Sequence, residues 1–391
     1  MSFFSGYRFF VYFTVLMIPA VVLGMRGKSL KLYRNLLTVF FIVMVYQETP
    51  KQFLNLILYG AGACYLVKIY LYLRIRYGRN EIIYGHAVFL ALFPLVLSKA
   101  GGMYGKNIFG FLGISYICFR VLQVVIEIYD GVIDEIKIPD FLAFLLFFPV
   151  LSSGPIDRSR RFLADHDTVY TREEYAGLLR AGLYKLLVGM FYKIVCSACF
   201  YKLLTQVFAG RYRPVYLAGY AYVYGLYMFF DFAGYSFMAV GASYLLGIKM
   251  PDNFNKPFIS VDMKEFWNRW HITLSSWLRD FVFTRFMVNA ARKKWFKDRL
   301  GRAAAGLMFN MVLMGMWHGL ESHYLAYGVY HGVLLSVTEI WQKRSHFYQI
   351  NKEKAWYRAI SWFVTLNLIM FGFLIFSGHV QEVWEVFIRK L

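Results

Sequence analysis

Two stretches, YRFFVYFTVLMIPAVVLGM at 7–25 and YRAISWFVTLNLIMFGFLIFS at 357–377, approach or reach the roughly 20 apolar residues that cross bilayer hydrocarbon. Nothing else in the chain limits its fold as much. In hydrocarbon every backbone N–H and C=O must be satisfied internally, which leaves helices and closed barrels. The apolar runs are continuous and do not alternate with polar residues, so helices are expected and a barrel is not. Further runs lie at 32–47, 53–73, 82–98, 107–129, 175–208, 214–248, 303–319 and 323–341. Only 17% of the 391 residues are charged and 59% are hydrophobic, whereas about a quarter of a soluble domain is charged.

Two segments do not fit as simple crossings. Residues 141–155, FLAFLLFFPVLSSGP, are stopped by proline and glycine, and 255–285 is too polar. Short apolar runs read as re-entrant pieces, and such backbone is tolerated only when buried in protein or lining a cavity. The expected fold is an all-α polytopic membrane protein. It has about ten or eleven transmembrane helices in a ring around an interior cavity, with re-entrant helices inside. No repeat or separate soluble stretch interrupts residues 1–391, so one integral membrane domain is expected.

The first run lacks a basic leader and a small-residue cleavage site, and reads as a retained helix. Arg26, Lys28, Lys31 and Arg34 follow it, which places the N-terminus outside the cell by the excess of cations on cytoplasmic loops. The net charge of +20 fits cytoplasmic anchoring beside anionic lipid, and no nucleic-acid partner is expected. It also leaves room for an acidic soluble partner on the cytoplasmic face.

The segment FWNRWHITLSSWLRD, 266–280, joins three tryptophans and a histidine to charged residues. Read as one helix, Trp267, Trp270, His271, Leu274, Trp277, Leu278 and Phe281 share an apolar face. Glu265, Asn268, Arg269, Ser276, Arg279 and Asp280 gather opposite. From this spacing His271 reads equally well as part of an interfacial helix and as a functional intramembrane histidine. In MGMWHGLESHYLAYGVYHG, 314–332, His318 lies between Gly315 and Gly319, where small residues permit close approach of backbone or ligand. His318 and His323 are five residues apart and point in different directions on a helix, so no metal site is expected. Two buried neutral histidines suit acyl transfer to a hydroxyl, one taking the proton while the other orients or polarises the carbonyl. No G-x-S-x-G elbow is present.

FFDFAGYSFMAVG (229–241), NFNKPF (253–258), FWNRWHITLSSWLRDFVF (266–283) and MGMWHG (314–319) resemble, in order, the motifs of the membrane-bound O-acyltransferase superfamily. GISYICFR (113–120) and FFPVLSSGPIDR (147–158) fit the same series, so the motif-bearing core is about 113–341. The compact length is similar to the branch that D-alanylates teichoic acid in Gram-positive cell envelopes. The resemblance implies helices around a central tunnel and catalysis by His318 and His271. It also implies a D-alanyl thioester on the phosphopantetheine arm of an acidic carrier protein, with no cofactor bound by the chain itself and lipoteichoic acid as the ultimate acceptor. An accessory membrane protein or peptide is a further expected partner. The alternatives are an alginate-type polysaccharide O-acetyltransferase, or a transporter or channel with a histidine proton relay.

Three further expectations concern individual residues. Asp231, in an apolar run, either pairs with an arginine such as Arg269 or faces the alanyl ammonium, with Tyr235, Ser236 and Trp317 beside the substrate path. Residues 249–302 hold twelve lysines and arginines against five acids. Among them Phe286, Met287 and Val288 beside Arg292 and Lys293 form a candidate carrier-docking patch, or simply a basic membrane-surface helix.

Overall fold

The computed structural model of this chain describes residues 3–382 apart from 104, 106, 107, 209 and 212. Among the described residues every regular element is a helix and no strand occurs. The chain forms two compact units, Met1–Met190 with Gly234–Asp252, and Phe191–Ala233 with Asn253–Leu391.

The first unit begins with α1 (Gly6–Met25), α2 (Lys31–Tyr46), α3 (Pro50–Tyr77), α4 (Glu81–Met103) and α5 (Ile114–Asp130). It continues through α6 (Ile138–Leu146), α7 (Ser159–Asp167) and α8 (Arg172–Met190). Beyond α8 the chain makes a π-helical stretch, α9 (Ser197–Leu203), a second π-helical stretch and α10 (Pro214–Leu245). From Gly234 onward α10 belongs to the first unit. The second unit holds α11 (Met263–Arg269), α12 (Ile272–Leu278), α13 (Thr284–Arg292), α14 (Arg299–His318), α15 (Ser322–Arg344), α16 (His346–Asn351) and α17 (Ala355–Phe376).

Six helical stretches are long and apolar enough to cross a membrane: α1, α3, Glu81–Gly102, Arg172–Phe208, Val215–Leu245 and α17. The other expected runs are also helical. However, α2 and α5 have 16 and 17 residues, and α14 begins with Arg299 and Arg302 while α15 ends with Lys343 and Arg344. The chain is therefore multi-pass, with single-helix crossing capacity concentrated in fewer elements than the apolar runs suggest.

In the first unit, the 141–155 segment breaks as its Pro and Gly predict. α6 ends at Leu146, a single 3-10 turn covers Phe148–Val150, and the chain bends away. The carbonyls freed by the break are not left bare. Arg120 of α5, 1% exposed, donates to the carbonyls of Phe144 (3.2 Å), Leu145 (2.7 Å) and Val150 (2.6 Å). One guanidinium thus replaces the helical hydrogen bonds that a continuous helix would have made.

In the second unit, α14 packs along α15. A Cβ on Gly315 would sit 2.5 Å from the Tyr324 carbonyl and 3.1 Å from the Gly328 Cα, so the glycines allow backbone-to-backbone contact. That contact fixes the end of α14, and hence His318.

Candidate active site

The 266–283 segment is not one helix. α11 ends at Arg269 and α12 starts at Ile272, and between them His271 adopts the left-handed conformation, φ 45° and ψ 50°. A non-glycine residue there costs roughly 1–2 kcal/mol, so the surroundings must impose it. The NFNKPF stretch does so. The Ile272 amide donates to the Asn253 carbonyl (2.9 Å), and the Asn255 amide donates to the Arg269 carbonyl (2.9 Å). Thr273 donates through its hydroxyl (2.6 Å) and its amide (3.3 Å) to the Asn253 side-chain oxygen. Residues 253–255 thus form a strut that supplies partners for the backbone groups exposed by the break. Replacing Asn253 with alanine removes the acceptor for buried Thr273, and the expected cost is about 1–3 kcal/mol. A lowered thermal-unfolding midpoint in detergent checks it, with Asn253→Asp, which keeps an acceptor oxygen, closer to the parent.

The apolar face foreseen across the break is nevertheless kept, since Trp267, Trp270, His271, Leu274, Trp277 and Leu278 are all buried and Phe281 is half-buried. His271 is 3% exposed, with the Phe232 ring edge-on to it at 4.8 Å. Neither of its ring nitrogens has a hydrogen-bond partner among the described residues. Burial, and after it the neighbouring His318, push this imidazole down to about 3, so it is neutral at physiological pH. A neutral imidazole without a protein partner is costly to bury and is equipped to give or accept one hydrogen bond on each nitrogen.

His318 is the last residue of α14, half-buried, where the Gly319 amide still donates to the Gly315 carbonyl at 3.2 Å. Phe376 of α17 stands edge-on to the His318 ring at 5.0 Å, and Tyr324 of α15 stacks at 6.1 Å. The Trp317 indole joins the two histidines, with ring centroids 4.7 Å from His318 and 6.4 Å from His271. Three expected site residues, His271, Trp317 and His318, therefore share one neighbourhood within the second unit.

Asp231 pairs with a cation, but not with Arg269. Its partners are Lys193 at 2.5 Å, from the π-helical stretch Phe191–Cys196, and the Ser197 hydroxyl at 3.3 Å. Arg269 instead pairs with Glu265 at 2.8 Å, one helical turn away, and donates to the Asn255 carbonyl. The cause is local: an i, i+4 carboxylate is already beside Arg269. Lys193 escaped the sequence reading, although a lysine inside the apolar run 175–208 was the available signal. One helical turn beyond Asp231, in the first unit, Tyr235 shares a 2.6 Å hydrogen bond with Ser152, and Ser236 is buried. Tyr235 is thus committed to the bend after the 3-10 turn.

On α13, Val288 is 60% exposed, Met287 half-buried and Arg292 exposed, as is Lys293 just after the helix. Phe286 departs from expectation, because it stacks on Phe309 of α14 at 5.5 Å and anchors α13 in place of facing outward. Trp295, 55% exposed with Lys293 5.7 Å from its ring, takes the place of an apolar surface residue there.

His331, at the end of the same histidine-bearing stretch, is a core residue. It is fully buried on α15, among Tyr327 at 4.4 Å, Tyr330 at 5.2 Å and Trp267 at 5.3 Å, in an aromatic box. Among the described residues, one group of potential ligands brings its atoms within 4.8 Å: Asp140, His166 and Asp167 of the first unit. Lys31 already bridges the two aspartates at 3.0 and 2.6 Å, and Arg34 donates to His166 Nδ1 at 2.8 Å and to the His166 carbonyl at 2.7 Å.

The sequence model of the membrane-bound O-acyltransferase family matches residues 41–381. The teichoic acid D-alanyltransferase of Bacillus subtilis (strain 168) is 37% identical, the match covering 96% of this chain and 98% of that one. The teichoic acid D-alanyltransferase of Lacticaseibacillus rhamnosus is 35% identical, covering 96% and 97%. A probable alginate O-acetylase of Pseudomonas aeruginosa is 30% identical over 71% of this chain and 50% of its own length.

Proposed function

The chain belongs to the membrane-bound O-acyltransferase family, and from that premise we propose that it is an enzyme of teichoic acid D-alanylation. It moves D-alanine from the phosphopantetheine thioester of an acidic carrier protein to a hydroxyl acceptor, ultimately on lipoteichoic acid. The observation that carries this reading is the shared neighbourhood of His271 and His318 around Trp317.

In the proposed reaction His318 takes the proton of the acceptor hydroxyl as its oxygen bonds to the thioester carbonyl carbon. His271, neutral and with both nitrogens unbonded among the described residues, donates to the carbonyl oxygen as charge develops there. Collapse breaks the C–S bond, and the departing sulfur recovers the proton from the His318 imidazolium. A thiol of ordinary pKa near 8.5 needs little acid assistance, so the base carries most of the demand. The phosphopantetheine belongs to the carrier, and the chain needs no cofactor of its own. The acceptor hydroxyl is that of teichoic acid, directly or through an accessory membrane protein or peptide. The N-terminus lies outside, in keeping with the cations after α1.

The direct test supplies purified chain in vesicles with carrier loaded with radiolabelled D-alanine and with lipoteichoic acid. Base-labile label in the polymer is the expected result. Label that appears only with an acetyl donor would instead assign the chain to the polysaccharide O-acetylating branch, to which its similarity covers about half of those relatives' length.

Carrier docking is assigned to the exposed side of α13, where Val288 projects beside Arg292 and Lys293. Val288→Asp places a carboxylate in the path of an acidic partner. It is expected to weaken carrier affinity in detergent by about 10-fold, or ~1.4 kcal/mol, with salt weakening the parent complex as well. Unchanged affinity moves the docking face elsewhere.

A further inference from the structure

A groove of about 750 Å³ runs between α11, α15 and α17 in the second unit, away from the histidine pair. Its walls and its rim differ in chemistry. Leu334 and Val337 of α15 face Ile360, Val364 and Leu368 of α17 along it, and Val337, Ile360 and Val364 are 57%, 56% and 47% exposed. Trp341, Tyr348 and Tyr357 line one end, where the Trp341 indole donates to the Tyr357 hydroxyl at 3.3 Å. Lys352 and Arg358 line the same end.

The height of this end follows from helix length. α17 has 22 residues and is ~33 Å long at 1.5 Å per residue, close to the ~30 Å of hydrocarbon. Its first turn, Ala355 to Arg358, therefore sits at a membrane boundary, where tryptophan and tyrosine concentrate. The apolar walls then lie at acyl-chain depth and the cations at headgroup depth.

The charges of the groove are unevenly committed. Asp262 caps α11, accepting the Lys264 and Glu265 amides and the Gln342 side chain. Glu265 is held by Arg269, and Lys264 pairs with Glu339. Lys352 and Arg358 make no ion pair among the described residues; Glu353 lines the same end, but the segment they share, 343–358, has five lysines and arginines against that one acid, so the end is net positive. The groove therefore offers an apolar trough that ends in net positive charge.

We propose that this groove binds an anionic glycerophospholipid, its phosphate held by Lys352 and Arg358 and one acyl chain lying along Val337, Ile360 and Val364. Basic pockets between membrane helices recognise such headgroups by this combination of charge and depth. The site is separate from the reaction chemistry, but its floor includes Lys264, Glu265 and Asn268 of α11, the helix that leads into His271. Bound lipid would brace the helix that precedes the left-handed break.

The test is native mass spectrometry of the purified full chain in neutral detergent, titrated with phosphatidylglycerol or phosphatidylcholine. Retention of phosphatidylglycerol over phosphatidylcholine is expected, and Lys352→Glu with Arg358→Glu should reduce it by about 30-fold or more, as expected for two cations at a headgroup. Val364→Trp, which fills the trough without changing charge, should reduce phosphatidylglycerol retention as well. Both substitutions lie at exposed positions, and an unchanged unfolding midpoint without lipid verifies that each variant is folded. Equal retention of the two lipids, or phosphatidylglycerol bound as well by both variants as by the parent, overturns the proposal. Displacement of the lipid by millimolar inorganic phosphate alone would also overturn it, by showing a free-anion site.

Discussion

Cells whose only copy carries His318→Ala are expected to lose D-alanyl ester from teichoic acid by a factor of about 10²–10⁴, the usual contribution of a positioned general base. The fold should tolerate the change. His318 is the last residue of its helix and half-buried, and the position of that helix end is set by the Gly315–Gly328 backbone contact. The variant should therefore reach the membrane in normal amount while the loaded carrier accumulates unreacted. Ester content measured by alkaline release of D-alanine, with protein level measured in the same membranes, decides the matter. Near-parental ester content would remove His318 from the role of base.

The second large effect is expected at His271, where chemistry and backbone can be separated. Both His271→Ala and His271→Asn remove the imidazole, and each should lower transfer by about 10²-fold or more. Their stabilities should differ. The position has φ 45°, and asparagine is among the few side chains that adopt left-handed geometry readily, whereas alanine does not. Asparagine also keeps a polar side chain in the pocket beside Phe232. The expected pattern is loss of activity in both, with the unfolding midpoint lower for alanine than for asparagine by an amount equivalent to about 1 kcal/mol. Full activity in the asparagine variant would mean that His271 serves the backbone and not the reaction.

The all-helical, multi-pass character was legible because hydrocarbon leaves few backbone solutions, and apolar runs state that requirement residue by residue. The two histidines and the tryptophan between them were legible from their motifs. The kink at His271 was not. The 3.6-residue periodicity of the tryptophan face continues across the break, and the strut that enforces it comes from Asn253 and Asn255, outside the periodic segment. Asp231 gave the right kind of partner but the wrong one. Choosing between Lys193 and Arg269 required knowing that Glu265 already occupied the arginine. Phe286 was misjudged for a related reason: hydrophobicity and charge identified a surface helix, but only the position of Phe309 reveals which apolar residue anchors it.

The division of α10 has a consequence for how the chain is made. The first unit is discontinuous, since it needs Gly234–Asp252 as well as Met1–Met190. Those late residues are not peripheral. Tyr175 donates to the Leu245 carbonyl at 2.8 Å, Arg34 donates to the Leu246 carbonyl at 2.8 Å, and Lys185 grips Asp252 at 2.6 Å. Gly189 and Gly182 have no room for a Cβ against Gly234 and Gly241. A ribosome that has just finished Met190 must add roughly 60 residues before these partners exist, which takes several seconds at about 5–20 residues per second. During that interval the buried guanidinium of Arg34 lacks its final acceptor, and the helices made so far wait in an unsealed state. Fragments ended near Met190 should thus be targets for membrane proteases, while cuts beyond Asp252 leave the first unit with all of its segments.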